Sequence, residues 1–278
     1  MKALKITLAV ILGVGLVMTI TALSIYRFNF SDIRADVRGS GHVQARTIEH
    51  DDNTFVPARL DLDIQSHNVT IRTGDAFLVN YHLHTSLNET SYYFNDNGAF
   101  HFRMRTRNHM RVGWSMPSRY SRIYITVPAA FNGDVYVQAR SGNVLVENID
   151  GANFTIDVRS GNLSLENITG NYFNLTSRSG NISLGDVQGH WIRTNARAGN
   201  STIARGSQFT HVTTITRSGN TRVTLVGDVN EYSFSFSTRS GNNTLNGSRI
   251  SDGSTHRPQS AGSVSMTTRS GNNYLRFV

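Results

Sequence analysis

One tetrapeptide constrains this chain more than any other feature. Arg-(Ser/Ala)-Gly-Asn occurs seven times, beginning at Arg140, Arg159, Arg178, Arg197, Arg217, Arg239 and Arg269, with spacings of 19, 19, 19, 20, 22 and 30 residues. A 19-residue period is too short for helical-pair repeats and fits one coil of a β-solenoid. In the first three coils, apolar residues recur at Val144, Leu163 and Ile182 and, two residues on, at Val146, Leu165 and Leu184. That is the period of a strand with one face buried. A second set follows at Ile149, Ile168 and Val187, then at Phe154, Phe173 and Ile192 beyond a glycine turn. The pattern predicts an all-β protein, a parallel β-solenoid with two short strands and two bends per coil.

No coil buries its apolar face alone, so coils stacked about 4.8 Å apart must share one core, and identical residues must fall into columns. Alternation from Phe154 through Val158 puts Arg159 outward and Ser160 inward, with Gly161 resetting the phase. Asn143, Asn162, Asn181, Asn200, Asn220, Asn242 and Asn272 are expected to form an amide ladder, side chain to side chain, as a structural feature. Residues 140–278 are the clear repeats. Residues 56–139 also read as strands and are expected to start the stack as degenerate coils, with Ser66-His67-Asn68 in place of a Ser-Gly-Asn turn. Ser251 to Gly262 reads as a loop leaving one coil.

Residues 6–26 are 21 consecutive uncharged residues between Lys2 and Lys5 on one side and Arg27 on the other. As a helix they extend roughly 31 Å, the thickness of a hydrocarbon core. The segment reads as an uncleaved anchor: residues 1–5 inside, one transmembrane helix at 6–26, a polar stalk at 27–55, and the body outside, on the cell surface. Cleavage as a signal peptide near Thr19–Ala22 is the alternative, and both readings export the body. The chain has no cysteine, which removes disulfide scaffolds, thiolate metal sites and cysteine nucleophiles.

Leu62 to Ile71 (LDIQSHNVTI) and Ile125 to Pro128 (ITVP), leading into the Ser-Gly-Asn turns, resemble the bacterial "putative adhesin" family of unknown function. The resemblance covers about residues 56–278. It implies a β-solenoid, often membrane-anchored in Gram-positive bacteria, with some members similar to parts of the Lia cell-envelope stress system, and it implies no catalytic residues. This chain departs from the family in one respect: its turns carry Asn where Ser-Gly-Asp is common, which removes an acidic column beside the arginines.

The charge is positional. Of 27 basic residues, 25 are arginine, against 19 acids. Arg140, Arg159, Arg178, Arg197, Arg217, Arg239 and Arg269 share one outward phase and form either a stripe for a polyanion or a row of stems covering the strand surface. Arg103, Arg105 and Arg107 alternate on one strand face and, with Arg111, Arg119, Arg122, Trp114 and Tyr120, form a second basic patch or a solvated face. The partners that fit are envelope polyanions, namely teichoic acid, anionic lipid or polysaccharide, rather than nucleic acid. His82 and His84 share a face as a surface pair or half of a metal site, and Asp61 and Asp63 share another. No hydrolase, P-loop, zincin or dinucleotide motif is present. The chain reads as a non-enzymatic surface protein without cofactor or metal. The alternative is a regulatory partner in an envelope-stress complex that docks by strand addition at the open end, with Val278 and the terminal strand as the expected edge.

Overall fold

In a computed structural model that describes residues 43–50, 54–84, 88–106, 122–255 and 260–278, each repeat forms one two-strand layer. The strands are β1 Val43–Glu49, β2 Arg59–Ser66, β3 Asn68–Gly74, β4 Leu78–His84, β5 Asn88–Phe94, β6 Ala99–Thr106 and β7 Arg122–Pro128. The regular repeats follow as β8 Asp134–Ser141, β9 Val144–Asp150, β10 Asn153–Ser160, β11 Leu163–Thr169, β12 Tyr172–Ser179, β13 Ile182–Gln188, β14 Trp191–Ala198, β15 Ser201–Ser207, β16 His211–Ser218 and β17 Thr221–Leu225. The last are β18 Tyr232–Ser240, β19 Asn243–Leu245, β20 Ser248–Ile250, β21 Gly253–Thr255, β22 Gly262–Ser270 and β23 Asn273–Phe277. Two sheets face each other, one of 12 strands and one of 11. The expected anchor at 6–26 lies outside the described residues, and no described helix is long and apolar enough to cross a membrane. β1 falls within the expected stalk but is a strand, paired antiparallel to β4.

The predicted inward set is the core. Val144, Leu163 and Ile182 are buried, as are Val146, Leu165, Leu184, Ile149, Ile168 and Val187. The step from Val146 to Ile149 is three residues rather than two because Asn148, with φ of 54°, kinks the strand, and Asn167 repeats the kink one layer on with φ of 56°. Phe154 and Phe173 stack with ring centroids 5.1 Å apart. Toward the later layers the interior becomes polar, and buried hydroxyls pair with each other, as Thr194 does with Ser201 at 2.7 Å and Thr216 with Thr221 at 3.0 Å.

Layers do not follow chain order at either end. β2/β3 is followed by β4 and β5, which lie antiparallel to β7 and β6. β6/β7 then fills the space between that pair and β2/β3, and β8/β9 continues on the other side. The far end repeats the arrangement. β18/β19 stands one layer beyond its expected place, the short antiparallel strands β20 and β21 close the stack, and β22/β23 returns to fill the layer against β16/β17. The 22-residue spacing carries the chain across the skipped layer, and the 30-residue spacing holds the closing strands and the return. Part of the expected loop at 251–262 is therefore the strand β21. The terminal strand β23 is paired on both sides, so it is not the open edge that strand addition at Val278 would require.

The asparagine column forms, with a different bond and a different order. Each backbone N–H donates to the Oδ1 of the asparagine in the layer before, at 2.8–2.9 Å, rather than side chain to side chain. The ladder runs Asn68, Asn143, Asn162, Asn181, Asn200, Asn220, Asn272, Asn242. Asn68 joins it from the degenerate Ser-His-Asn turn, and Asn272 stands before Asn242.

Candidate anion-binding corner

The arginine column lies at the bend where β8, β10, β12, β14, β16, β18 and β22 end. Strand pairing runs through Val158↔Ser177 and resumes at Ser160↔Ser179, leaving Arg159 and Arg178 out of register contact. The bend therefore begins at the arginine. Alternation breaks there, so that both Arg159 and Ser160 are exposed, correcting the inward placement of Ser160. All seven column arginines are exposed. Among the described residues none of the seven forms an ion pair within 4.0 Å. Neighbouring guanidiniums one layer apart repel by a little under ~1 kcal/mol in bulk water, a cost that a bound anion relieves.

The row two residues before the arginines decides how the column differs along its length. In layer order it reads Arg103, Asp63, Gln138, Asp157, Thr176, Asn195, Ile215, Thr267, Ser237. Its only acids are Asp63 and Asp157, both toward the amino-terminal end. Asp63 lies 3.2 Å from Arg103 and 3.7 Å from Arg105. The second basic patch is thus partly neutralised in its described portion, by an acid that is adjacent across strands and remote in sequence. Arg105 occupies the column's own phase, one residue past the Met104↔Ile64 pair. Arg107, Arg111, Arg119, Trp114 and Tyr120 lie outside the described residues. From Arg178 onward an open groove of about 670 Å³ runs beside Arg178, Arg197, Arg217, Arg269 and Arg239. Asp157 stands at its amino-terminal end, and the rest of its floor is the neutral part of the row. A smaller space of about 260 Å³ near Arg140 and Arg159 is shared with both acids.

The other candidates resolve differently. Asp61 does share a face with Asp63, and it contacts His101 at 3.3 Å and Arg59 at 3.8 Å. His82 is half-buried rather than on the surface, and no group of three metal-ligating side chains occurs among the described residues.

His67, in the glycine place of the degenerate turn, is 2% exposed, with its Nε2 3.3 Å from the Asn88 amide. That amide donates, so the ring is neutral. Burial, reinforced by nearby His82, pushes its pKa down from 6.5 to about 4. The unfolded chain binds this proton more readily than the folded one, so stability is full above pH 6.5 and falls as pH drops toward 4. Up to ~3 kcal/mol is lost across that window. Thermal melts at stepped pH check this, and His67→Gln is expected to flatten the acid limb.

Residues 58–215, more than half of the chain, match the family model described as Toastrack DUF4097. The chain belongs to that family. The Toastrack match opens one residue before β2 and closes inside β16, before the carboxy-terminal layers leave chain order. No curated protein matches the chain. Three solved structures are similar to this Toastrack chain. A "putative cell adhesion protein" from Clostridium sporogenes is 12% identical, with 85% of this chain and 100% of that one covered and a TM-score of 0.43. A "putative adhesin" from Bacteroides fragilis is 12% identical over 85% and 97%, with a TM-score of 0.47. A "putative adhesin" from Parabacteroides merdae is 10% identical over 86% and 97%, with a TM-score of 0.35.

Proposed function

We propose that the protein is a non-enzymatic module of the cell envelope. It is anchored by residues 6–26 with its body outside, and its arginine column holds anionic polymers or lipid headgroups. One observation carries the reading: seven arginines at one phase of the coil, all exposed and none ion-paired among the described residues. Arginine forks pair two-pronged with phosphate and carboxylate, and a contiguous row multiplies a weak single contact. The full chain in detergent is expected to be retained on immobilised glycerol-phosphate polymer at low salt and released at high salt. Absence of salt-sensitive retention would overturn the reading.

A second reading, a regulatory partner in an envelope-stress complex, is favoured by the edge strand β5, which presents Tyr92 and Tyr93 at 50% and 58% exposure. Docking by strand addition would use that edge rather than β23.

A further inference from the structure

Resting on the first of those readings, we propose that the ligand is a linear, phosphate-bearing polymer lying along the stack axis over five layers, at Arg178, Arg197, Arg217, Arg269 and Arg239. The amino-terminal end of the column takes no part.

Three features select this segment and this chemistry. The first is charge. Asp63 holds Arg103 and Arg105, and Asp157, in the layer of Arg159, lies between the layers of Arg140 and Arg178 and marks the amino-terminal limit of the groove, so an anion moving along the corner meets carboxylates until it passes Arg178. Beyond that point the flanking row carries no acid, and the next carboxylate, Asp252, caps the far end by accepting from the Thr238 N–H at 3.1 Å. The second is shape. Five layers at about 4.8 Å per step place the guanidiniums on a line about 19 Å long. A bilayer presents a plane, and a compact anion meets one or two layers, whereas a polymer with successive charges meets all five. The third is the donor set. The residue after each arginine at the corner is an exposed hydroxyl in four of the five layers: Ser179, Ser218, Ser270 and Ser240. A guanidinium with a neighbouring hydroxyl offers more donors than one carboxylate has lone pairs well placed to accept, and phosphate oxygens take up the excess.

The layer order makes the inference specific. Arg269 is 30 residues from Arg239 and 52 from Arg217 in sequence, yet its layer lies between theirs. Its loss separates Arg239 from the other three layers of the line.

The test titrates the full chain in detergent with long-chain linear polyphosphate, tripolyphosphate, polyglutamate, and vesicles of phosphatidylglycerol. Two triple variants are compared, Arg197→Ala/Arg217→Ala/Arg269→Ala and Arg103→Ala/Arg105→Ala/Arg72→Ala. All six positions are exposed, and circular dichroism checks that both variants fold. Long polyphosphate is expected to bind more tightly than tripolyphosphate, polyglutamate or vesicles. The first variant should lose about tenfold or more in affinity, while the second stays within about twofold. Equal losses in the two variants, no dependence on chain length, or equal binding of polyglutamate or vesicles would overturn this inference while leaving the broader anion-binding reading in place. Binding to none of the four probes would remove both.

Discussion

A Gly180→Val protein is expected not to hold its stack together. Gly180 has φ of +143°, and a Cβ placed there falls 2.0 Å from the carbonyl oxygen of Gly161 and 2.6 Å from its carbonyl carbon. Those are backbone atoms, and they have no freedom to retreat. The Gly161 N–H donates to the Ser179 carbonyl at 2.9 Å, and the Gly180 N–H donates to the Ala198 carbonyl at 2.9 Å. A β-branched residue forced to positive φ costs ~1–3 kcal/mol in backbone strain before any clash is counted. Moving the layers apart then strains the two flanking ladder bonds, Asn181 to Asn162 and Asn200 to Asn181. The total is expected to exceed ~4 kcal/mol, a large part of the ~5–15 kcal/mol that holds a domain folded. Thermal denaturation followed by circular dichroism measures it. Ser179→Ala, one residue away and exposed, should stay within ~0.5 kcal/mol of the parent. A Gly180→Val protein that melts within a few degrees of the parent would show that the corner is more pliable than its close packing indicates.

Removing residues 262–278 is expected to open the carboxy-terminal third while the centre of the stack survives. β22 and β23 lie between other strands on both sides, so their loss leaves β16/β17 and β18/β19 facing an empty layer. Val264, Met266 and Leu275 are buried at 1%, 0% and 1% exposure, and each is worth ~1.5–3 kcal/mol of burial. Asn273 donates to Asn243 Oδ1 at 2.8 Å and to the Ser237 carbonyl at 3.1 Å, so the deletion also removes the donor of the buried Asn243 side chain. In stacked repeats each layer depends chiefly on its neighbours. Hydrogen exchange should therefore show β8 to β13 protected and β16 to β19 exchanging rapidly. Full protection of β18/β19 would mean that it had closed directly onto β16/β17 in chain order, and that the skipped layer is not a requirement of the sequence.

How far these features were legible in the sequence follows from what a repeat encodes. A residue in a regular coil meets the same residue in the next coil, so the period alone places Val144 against Leu163, Arg159 beside Arg178, and Asn162 beside Asn181. The corner itself was less legible. Simple alternation turns Ser160 inward, but a bend that starts at the arginine exposes both residues. The layer order was hidden because periodicity states that a coil stacks, not where it stacks; the lengthened spacings after Arg217 and Arg239 were the signal of a departure. The antiparallel pairs at the ends were hidden because strand direction depends on how the chain returns across the sheet. The pairing of Asp63 with Arg103 and Arg105 was hidden for a related reason, since the layers β2 and β6 become neighbours only when the chain returns past β4 and β5. Counting two residues back from the corner in every coil would have found Asp63, Gln138 and Asp157 in one row. His67 was visible as a departure from glycine, but its contact with Asn88 crosses between elements whose adjacency no local pattern specifies.

The closing strands at the carboxy-terminal end of the stack also set how this architecture can change. β20 and β21 have 3 residues each, and such short antiparallel strands do not template a further layer. At the carboxy-terminal end the number of layers is therefore a property of the gene, not of assembly. Duplicating one 19-residue unit within residues 140–197 would add a layer, with one more asparagine rung and one more corner arginine, and would leave both ends unchanged. The corner is in this sense a ruler whose graduations are added or removed one repeat at a time, so that its length changes at a fixed spacing of about 4.8 Å without redesigning a single loop.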